Sequence, residues 1–437
     1  MQLSYKANYK IRFACTTLSD TSGINPPYRL DFEATIAVPT GIQDGMRPAR
    51  FGILLLLLST ASAQTVPGSA APAFRGMANG NVAAGELSPL TLQQSYGIGG
   101  HTTVLAAMVG WFGSSKHADI GYHSDDPAQV ARQLGAMQAR GIDGVTIAWY
   151  GSGDQGVSGR TPAVVMRQAE QMSGFSFALR AQGGMLRWYA KGQQPTAALI
   201  QQLRGGAQAF FDSPAYLKVD GRPVVLFFGF ESFGIDWLRV KAAVPGNPLF
   251  LFRNSKDFDR PGSDGAFAWG PANGLSYLRY FYKSAAHHPG EIAVGDLHKG
   301  FNDSAASWGK NRLVDQRCGQ TFLDTVSVLP SDLSFVQLVT WDDYEEGTEL
   351  ETGIDNCIRV DLQRTASGLE WSVTGNESAV DHYEVQTSQD GTSFTTVARL
   401  ATGKHAYSGQ LSGEMRVVAV GKALFIDQVS NTLAAQR

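Results

Sequence analysis

The chain lacks the features that mark several large classes of protein. Its 437 residues carry a formal net charge of −3, so it has no basic excess for binding the phosphates of nucleic acid. Charged residues make up only 17% of the chain, within an otherwise ordinary globular composition. No CxxC or HxxxH pattern accompanies its few cysteines, so a structural zinc site would have too few ligands. The sequence therefore predicts no cofactor, no metal and no nucleic-acid partner.

The apolar run at residues 51–58 is too short for a transmembrane helix, which needs ~20 apolar residues. It follows two arginines and precedes Ala61-Ser62-Ala63, which is the order of a secretory signal peptide. We predict a signal peptide over Met46–Ala63, with residues 1–45 as an extension that is not translated. The protein would be secreted or periplasmic, without stable membrane insertion after cleavage. The alternative is a membrane anchor with a short cytoplasmic tail.

Cysteine is scarce, and only Cys318 and Cys357 lie outside the extension. An even pair in an exported protein predicts a disulfide. It would close a loop of about 40 residues and stabilise the fold by ~3–4 kcal/mol. Two buried free thiols are the alternative.

Residues 64–95 are rich in Ala, Gly, Ser and Pro, which predicts a linker. Beyond it, short apolar runs typical of strands buried on both faces alternate with helical segments. Asp126 before Pro127 marks one helix start, and further helices are predicted over 161–172 and 195–211. The predicted strands are residues 103–109, 144–150, 175–179, 223–228, 249–252, 265–269, 292–294 and 334–340.

Eight such strands predict a (β/α)8 TIM barrel over residues 96–357, in the α/β class. A doubly wound open sheet is the alternative, but it would need a Gly-rich phosphate turn where Trp111-Phe112-Gly113-Ser114 stands. Residues 358–437 change to short alternating segments with an Asp390-Gly391 turn, which predicts a small all-β sandwich. Its Trp371 and the strands around Tyr383 and Val417 resemble a fibronectin type III domain.

Active sites of such barrels lie at the carboxyl ends of the strands. Aromatic and polar residues follow the predicted strands, as a site for sugar rings and hydroxyls requires, and we predict substrate contacts from Trp111, His117, Trp149, Tyr150, Glu231, Trp269 and Asp296. Trp308 follows strand seven and is expected either in the core or in the wall of the cleft. The predicted partner is a polysaccharide or oligosaccharide.

Residues 341–351, called here the strand-eight segment, carry six carboxylates in eleven positions. Repulsion and burial should raise the pKa of at least one of them. A protonated carboxyl beside an ionised one is the acid/base arrangement of glycoside hydrolysis. A solvated acidic loop and a calcium site are the other interpretations that the local sequence leaves open.

The strand-eight segment, Trp-Asp-Asp-Tyr-Glu-Glu-Gly-Thr-Glu-Leu-Glu, resembles the strand-eight motif of glycoside hydrolase families 71 and 99. These families are α-1,3-glucanases and endo-α-mannosidases. The entries to strands two and four, residues 137–150 and 215–223, also resemble them, and the likeness covers roughly residues 103–357. The sequence departs from the motif in having Asp342 in place of the more usual Asn and an added carboxylate at Glu345. Gln182 stands where an acidic residue is expected, which bears on the substrate.

The resemblance implies that Asp343 is the base-side carboxylate and Glu346 the general acid. Neighbouring residues would then bind sugar hydroxyls or adjust pKa values, namely Trp341, Asp342, Tyr344, Glu345 and Glu349. The spacing leaves open whether the configuration is inverted or retained, because either carboxyl separation is possible. The predicted function is a secreted glycosidase that cleaves α-linked glycans of the α-1,3-glucan or α-mannan type. The alternative is a non-catalytic carbohydrate-binding or cell-surface adhesion protein on the same barrel.

Overall fold

The computed structural model describes residues 87–409 and 412–434. Eight parallel strands form its main sheet: β1 (Thr103–Met108), β2 (Gly144–Trp149), β3 (Ser176–Gln182), β4 (Arg222–Phe228), β5 (Leu249–Arg253), β6 (Gly265–Phe267), β7 (Ile292–Leu297) and β8 (Phe335–Leu338). Each strand pairs in parallel with its neighbours in sequence. Strand β8 pairs with β1, so the sheet closes into a barrel. The predicted (β/α)8 barrel is confirmed at the level of a closed, eight-stranded parallel barrel.

The strands form where the sequence has short runs of apolar and β-branched residues. Strands β1 and β2 are buried along almost their whole length, as expected when barrel contents cover one face and helices the other. All eight predicted strands are present, with ends that differ by up to three residues. Strand β3, for example, continues to Gln182 rather than ending at Leu179.

Helices separate most of the strands: α1 (Leu92–Tyr96), α2 (Pro127–Gln138), α3 (Val157–Ala169), α4 (Pro195–Gln201), α5 (Gln208–Phe211), α6 (Trp237–Ala243), α7 (Gly274–Ala285) and α8 (Gln320–Ser327). Helix α2 begins as predicted, because the Asp126 carboxylate accepts from the Ala128 N–H and Pro127 takes the first position. Helix α3 begins one turn earlier than predicted. A π-helical turn over Gln202–Gly206 divides the helix predicted over 195–211. Within the described ranges, no helix has the length and apolarity that a membrane span requires.

The C-terminal region consists of two antiparallel sheets. One contains β9 (Arg359–Thr365), β10 (Gly368–Thr374) and β13 (Ala406–Tyr407) in the order β9-β10-β13. The other contains β11 (Val380–Ser388), β12 (Thr395–Ala401), β14 (Glu414–Gly421) and β15 (Gln428–Val429) in the order β12-β11-β14-β15. Trp371, Tyr383 and Val417 lie in the core between them. The predicted all-β region is therefore present.

A connection of this β region packs into the hydrophobic core of the barrel. Leu424 and Phe425, between β14 and β15, are fully buried and belong to the same cluster as Leu92 and Phe322. The Phe425 ring lies so close to Gly319 that a Cβ there would come within 2.1 Å of it. We call residues 423–426 the core plug.

Cys318 and Cys357 form a disulfide with an S–S distance of 2.08 Å, as predicted. It joins the chain just before α8 to the chain just before β9. The last residues of the predicted linker are also structured, since Leu87 pairs with Ile426 and Leu92 begins helix α1. The predicted extension, the signal peptide and the linker up to residue 86 lie outside the described residues.

Candidate active site

The strand-eight segment folds into a compact turn at the carboxyl end of β8. The Thr348 N–H donates to the Asp343 carbonyl at 3.1 Å, and the Asp343 N–H donates to Thr340 Oγ1 at 2.9 Å. Thr340 Oγ1 also lies 2.9 Å from Thr348 Oγ1. Gly347 has φ = +60°, a conformation that glycine adopts without strain and that allows the chain to reverse. The segment is therefore held by hydrogen bonds from its own backbone and from two threonine side chains.

Two side chains of the segment attach it to the end of β1 and to the loop that follows β1. Asp342 is fully buried and accepts hydrogen bonds from the N–H groups of Val109, at 2.8 Å, and Gly110, at 3.4 Å. Glu345 accepts from the Ala118 N–H at 2.9 Å and lies 2.8 Å from His117 Nδ1. Burial raises the pKa of Asp342 to about 6, although its backbone donors oppose the shift. Both side chains thus position the loop, which leaves them little freedom to bind a sugar.

Glu349 and Glu351 lie beneath the turn. Glu349 forms an ion pair with Lys299 at 2.8 Å, and both side chains are 0% exposed. Glu351 accepts from the hydroxyls of Tyr122 at 2.8 Å and Tyr344 at 3.1 Å. Burial raises the pKa of Glu351 to about 7. The structure does not bring Glu349 or Tyr344 into the cleft as substrate contacts; both help to support the turn.

Asp343 and Glu346 remain as the two carboxyls that could act on a ligand. Asp343 is 3% exposed, and its Oδ1 accepts from the Glu346 N–H at 3.0 Å. Glu346 is only partly buried, and its Oε1 accepts from the Trp308 indole N–H at 3.2 Å. Burial raises the pKa of both carboxyls, and the nearby Glu346 raises that of Asp343 further. The pair therefore retains a proton at a pH where isolated carboxyls would have lost it.

Arg180, inside strand β3, is a buried cation whose charge acts on this pair. Its guanidinium donates to the Met108 carbonyl at 2.7 Å and lies 4.6 Å from the centre of the Trp269 ring. Its charge interacts with both Asp343 and Glu346, and burial lowers its pKa to about 10. Arg180 thus remains a cation at neutral pH and favours the ionised form of either carboxyl.

An aromatic wall of Trp111, His117 and Trp308 stands on one side of Glu346. The Trp111 and His117 rings stack with centroids 4.8 Å apart. Trp308 meets both rings edge-on, at 5.5 and 5.7 Å, and its side chain is 43% exposed. Of the two predictions made for Trp308, the structure fits the cleft wall. The wall offers flat apolar surface directly beside a carboxyl.

Tyr150 lies on another side of the pair, at the end of β2. Its hydroxyl interacts electrostatically with Arg180 and Asp343, and burial raises its pKa. Trp269 is half-buried against Arg180 and Phe228, with 4.9 Å between the Trp269 and Phe228 rings. Four of the predicted contact residues, Trp111, His117, Tyr150 and Trp269, therefore keep some exposed surface around the carboxyl pair. Glu231, on the loop after β4, pairs with Arg253 through Oε1.

Three of the predicted contact residues are buried among other protein groups. The Trp149 ring packs edge-on against Phe210 in the core, because it alternates with Tyr150 along the strand. Trp341 is buried in the same core. Asp296 is fully buried, accepts from the Gly270 N–H and lies 2.7 Å from His298 Nδ1. Trp149 and Tyr150 are adjacent along the chain and point to opposite sides, so nearness to a strand end does not by itself bring a side chain to a ligand.

Arg180, whose charge acts on the pair, and Trp188, which stacks on Tyr150, were not among the predicted site residues. A charged residue within the apolar run of β3 could have indicated Arg180, since buried arginines are rare unless paired. Trp188, in the turn after β3, is 58% exposed. An exposed tryptophan becomes visible only once the fold is known.

Among residues 87–409 and 412–434, no three His, Cys, Asp or Glu side chains are grouped so that they could hold a metal ion. Asp342, Glu345, Glu349 and Glu351 instead accept hydrogen bonds from protein donors.

No protein-family model matches the chain, and no curated protein matches it. Two solved structures of the GH99 endo-α-mannosidase from Bacteroides thetaiotaomicron do. The one in complex with bis-tris-propane has a TM-score of 0.47 and 17% identity, covering 57% of this chain and 86% of that chain. The other has a TM-score of 0.46 and 16% identity, covering 57% and 87%. A likeness of this size says nothing about chemistry, which depends on the residues of the site itself.

Proposed function

We propose that this protein is a glycosidase that hydrolyses α-linked glycans, with Asp343 and Glu346 as its acid/base pair. The observation that carries the proposal is the pairing of two carboxyls with raised pKa values at the carboxyl end of β8, beside an exposed aromatic wall. Hydrolysis of a sugar linkage requires a carboxyl that keeps its proton beside one that is ionised. A flat apolar surface beside them can hold the sugar ring. A merely solvated acidic loop would not be buried or held by so many hydrogen bonds.

Access distinguishes the roles of the two carboxyls. Glu346 is the more exposed and touches Trp308, so a sugar stacked on the aromatic wall would place its glycosidic oxygen near Glu346. Glu346 gives its proton to that oxygen as the bond to the anomeric carbon breaks. A water attacks the anomeric carbon and gives one proton to Asp343, so that its hydroxyl stays on that carbon while the leaving sugar keeps the proton from Glu346, and exchange with solvent restores both carboxyls. Arg180 stabilises the ionised member of the pair at each stage.

The substrate class follows from the motif. The residues Asp343-Tyr344-Glu345-Glu346-Gly347-Thr348 resemble those of α-1,3-glucanases and endo-α-mannosidases. We therefore propose an α-1,3-glucan or an α-mannan as the substrate.

The test is a reducing-end assay of the purified protein on α-1,3-glucan and α-mannan, with α-1,4-glucan as a control. Glu346→Gln and Asp343→Asn keep the shape of each side chain but remove its proton exchange. We expect each to lower kcat by roughly 10²–10⁴, the usual contribution of general acid/base catalysis. The matched variant Glu370→Gln, at an exposed carboxyl of β10, should retain wild-type turnover.

Full activity in either Glu346→Gln or Asp343→Asn refutes the assigned pair. Binding without turnover of any of the three glycans would instead support the carbohydrate-binding alternative. Unchanged circular dichroism of the variants should accompany the assay, so that loss of the fold is separated from loss of catalysis.

We further propose that the protein is exported and that its C-terminal sheets are a fibronectin type III-like domain. The disulfide supports export, because such bonds persist in oxidising compartments. Three- and four-stranded sheets packed around Trp371 support the domain type. N-terminal sequencing of the mature protein should give Gln64, and a mature chain beginning before Met46 contradicts the signal peptide.

A further inference from the structure

The turn after β3 presents two exposed aromatic rings at the rim of the cleft. Trp188 and Tyr189 close the π-helical turn Met185–Tyr189, and their side chains are 58% and 43% exposed. An exposed aromatic side chain forgoes the free energy that its burial would contribute. Two adjacent exposed rings therefore indicate a binding surface.

Both rings are held in place by contacts with neighbouring residues. Trp188 stacks on Tyr150 with centroids 5.6 Å apart and an interplanar angle of 26°. Its six-membered ring also covers Gly184, where a Cβ would lie 2.6 Å from Cζ3. Tyr189 covers Gly153 in the same way, since a Cβ there would lie 2.9 Å from the Tyr189 Cβ. A fixed ring loses little entropy when a ligand stacks on it.

Tyr150 connects this surface to the carboxyl pair. One side of its ring carries Trp188, and its hydroxyl interacts with Arg180 and Asp343. The aromatic wall of Trp111, His117 and Trp308 instead comes from the loops after β1 and β7 and contacts Glu346. The carboxyl pair thus has aromatic surface from two separate groups of loops.

We propose that Trp188, supported by Tyr150 and Gly184, is a second sugar-binding platform, which stacks a ring of the same glycan at a distance from the cleaved bond. The inference rests on the proposed function and deepens it. A chain that spans the wall and the platform is held at two places, so the enzyme binds longer chains more tightly than short ones. A disaccharide reaches the wall only.

The experiment compares Trp188→Ala with Tyr280→Ala, which removes an equally exposed ring (66%) from the outer helix α7. Hydrolysis is measured on α-1,3-gluco- and α-manno-oligosaccharides of two to six rings. In parallel, retardation of the wild type and both variants is measured in native gels containing α-1,3-glucan or α-mannan. For the longer chains we expect Trp188→Ala to raise KM about tenfold with kcat nearly unchanged, since a remote contact contributes mainly uniform binding. For disaccharides, Trp188→Ala should have the same kcat and KM as the wild type.

Equal kinetics and equal gel retardation of Trp188→Ala and Tyr280→Ala overturn the platform while leaving the proposed hydrolysis intact. A wild type that hydrolyses nothing, but whose retardation is lost in Trp188→Ala alone, supports the platform and overturns the hydrolase. Absence of both hydrolysis and retardation overturns both. Trp188→Phe, which keeps a ring, should recover most of the lost affinity; failure to do so also counts against stacking.

Discussion

Burial determines the charge states of the carboxyl groups in the strand-eight segment. For Asp342, Asp343, Glu346, Glu349 and Glu351, the largest cause of the raised pKa is removal from water. Their partners oppose the shift to different degrees: backbone N–H groups for Asp342, a lysine for Glu349, tyrosine hydroxyls for Glu351. One short segment thereby contains carboxyls with distinct tasks, although the sequence shows only a run of acidic residues.

Glu351 should make the stability of the protein depend on pH. Its folded-state pKa is raised to about 7, whereas an unfolded glutamate titrates near ~4.3. The folded state therefore binds the proton more tightly, and the stabilisation is fully present below the unfolded pKa and lost as the pH rises through about 7. We expect the urea midpoint of the wild type to fall between pH 5 and pH 8, and Glu351→Gln to reduce that fall.

The control for this prediction is Glu370→Gln, whose carboxyl is exposed, and which should show the wild-type slope. The comparison uses the slope against pH, because an amide at position 351 also changes the hydrogen bonds with Tyr122 and Tyr344 at every pH. An unaltered slope in Glu351→Gln would contradict the assignment.

At the scale of elements, the position of the turn depends on what the ends of neighbouring strands supply. Strand β1 contributes the N–H groups that Asp342 binds, and the connection after β7 contributes Lys299. The Asn302 N–H, from the same connection, donates to the Glu346 carbonyl at 2.7 Å. The carboxyl pair is thus located by three adjacent strand ends of the barrel.

Lys299→Met should strongly destabilise the protein, because it leaves the Glu349 carboxylate buried without its counter-charge. Breaking a buried pair costs ~3–5 kcal/mol, whereas replacing both partners by apolar residues of similar volume is often neutral. The double variant Lys299→Met/Glu349→Leu should therefore be more stable than Lys299→Met alone in chemical denaturation. If the loss of unfolding free energy in the double variant equals the sum of the losses in Lys299→Met and Glu349→Leu, the pair does not act as a unit.

The sequence was most informative where a local pattern sets the structure. Buried apolar runs and the Asp126-Pro127 start identified eight strands and helix α2, because both depend on neighbouring residues. The pairing of Lys299 with Glu349 joins residues 50 positions apart and depends on the closed barrel. The opposite directions of Trp149 and Tyr150 depend on the strand's exact register, and a pattern of continuous burial does not reveal register.

At the scale of the whole molecule, the barrel and the C-terminal sheets share hydrophobic core. The core plug is attached to helix α1 by hydrogen bonds of its backbone, in addition to the packing of its side chains. The Tyr96 hydroxyl donates to the Ala423 carbonyl at 3.0 Å, and the Ala423 N–H donates to Ser95 Oγ at 2.7 Å. Together with the disulfide, these contacts connect the two regions by more than a linker. The β region therefore contributes to the stability of the barrel itself.

Phe425→Ala should lower the stability of the whole protein, because it leaves a cavity against Gly319 and Phe322. Removal of a buried phenylalanine costs ~3–5 kcal/mol. Val429→Ala, at a 51% exposed position of β15, should change stability by less than ~0.5 kcal/mol. The measurement is thermal unfolding followed both by Trp fluorescence and by hydrolysis. If Phe425→Ala melted the β region while hydrolysis persisted, the shared core would be refuted.

The core plug also has a consequence for synthesis. A ribosome releases the chain from its N-terminus, and domains that are complete usually fold as they emerge. Here the barrel strands end at Leu338, yet Leu424 and Phe425, which complete their core, are made almost ninety residues later. The nascent barrel must wait with part of its apolar surface uncovered until residues 423–426 have been synthesised.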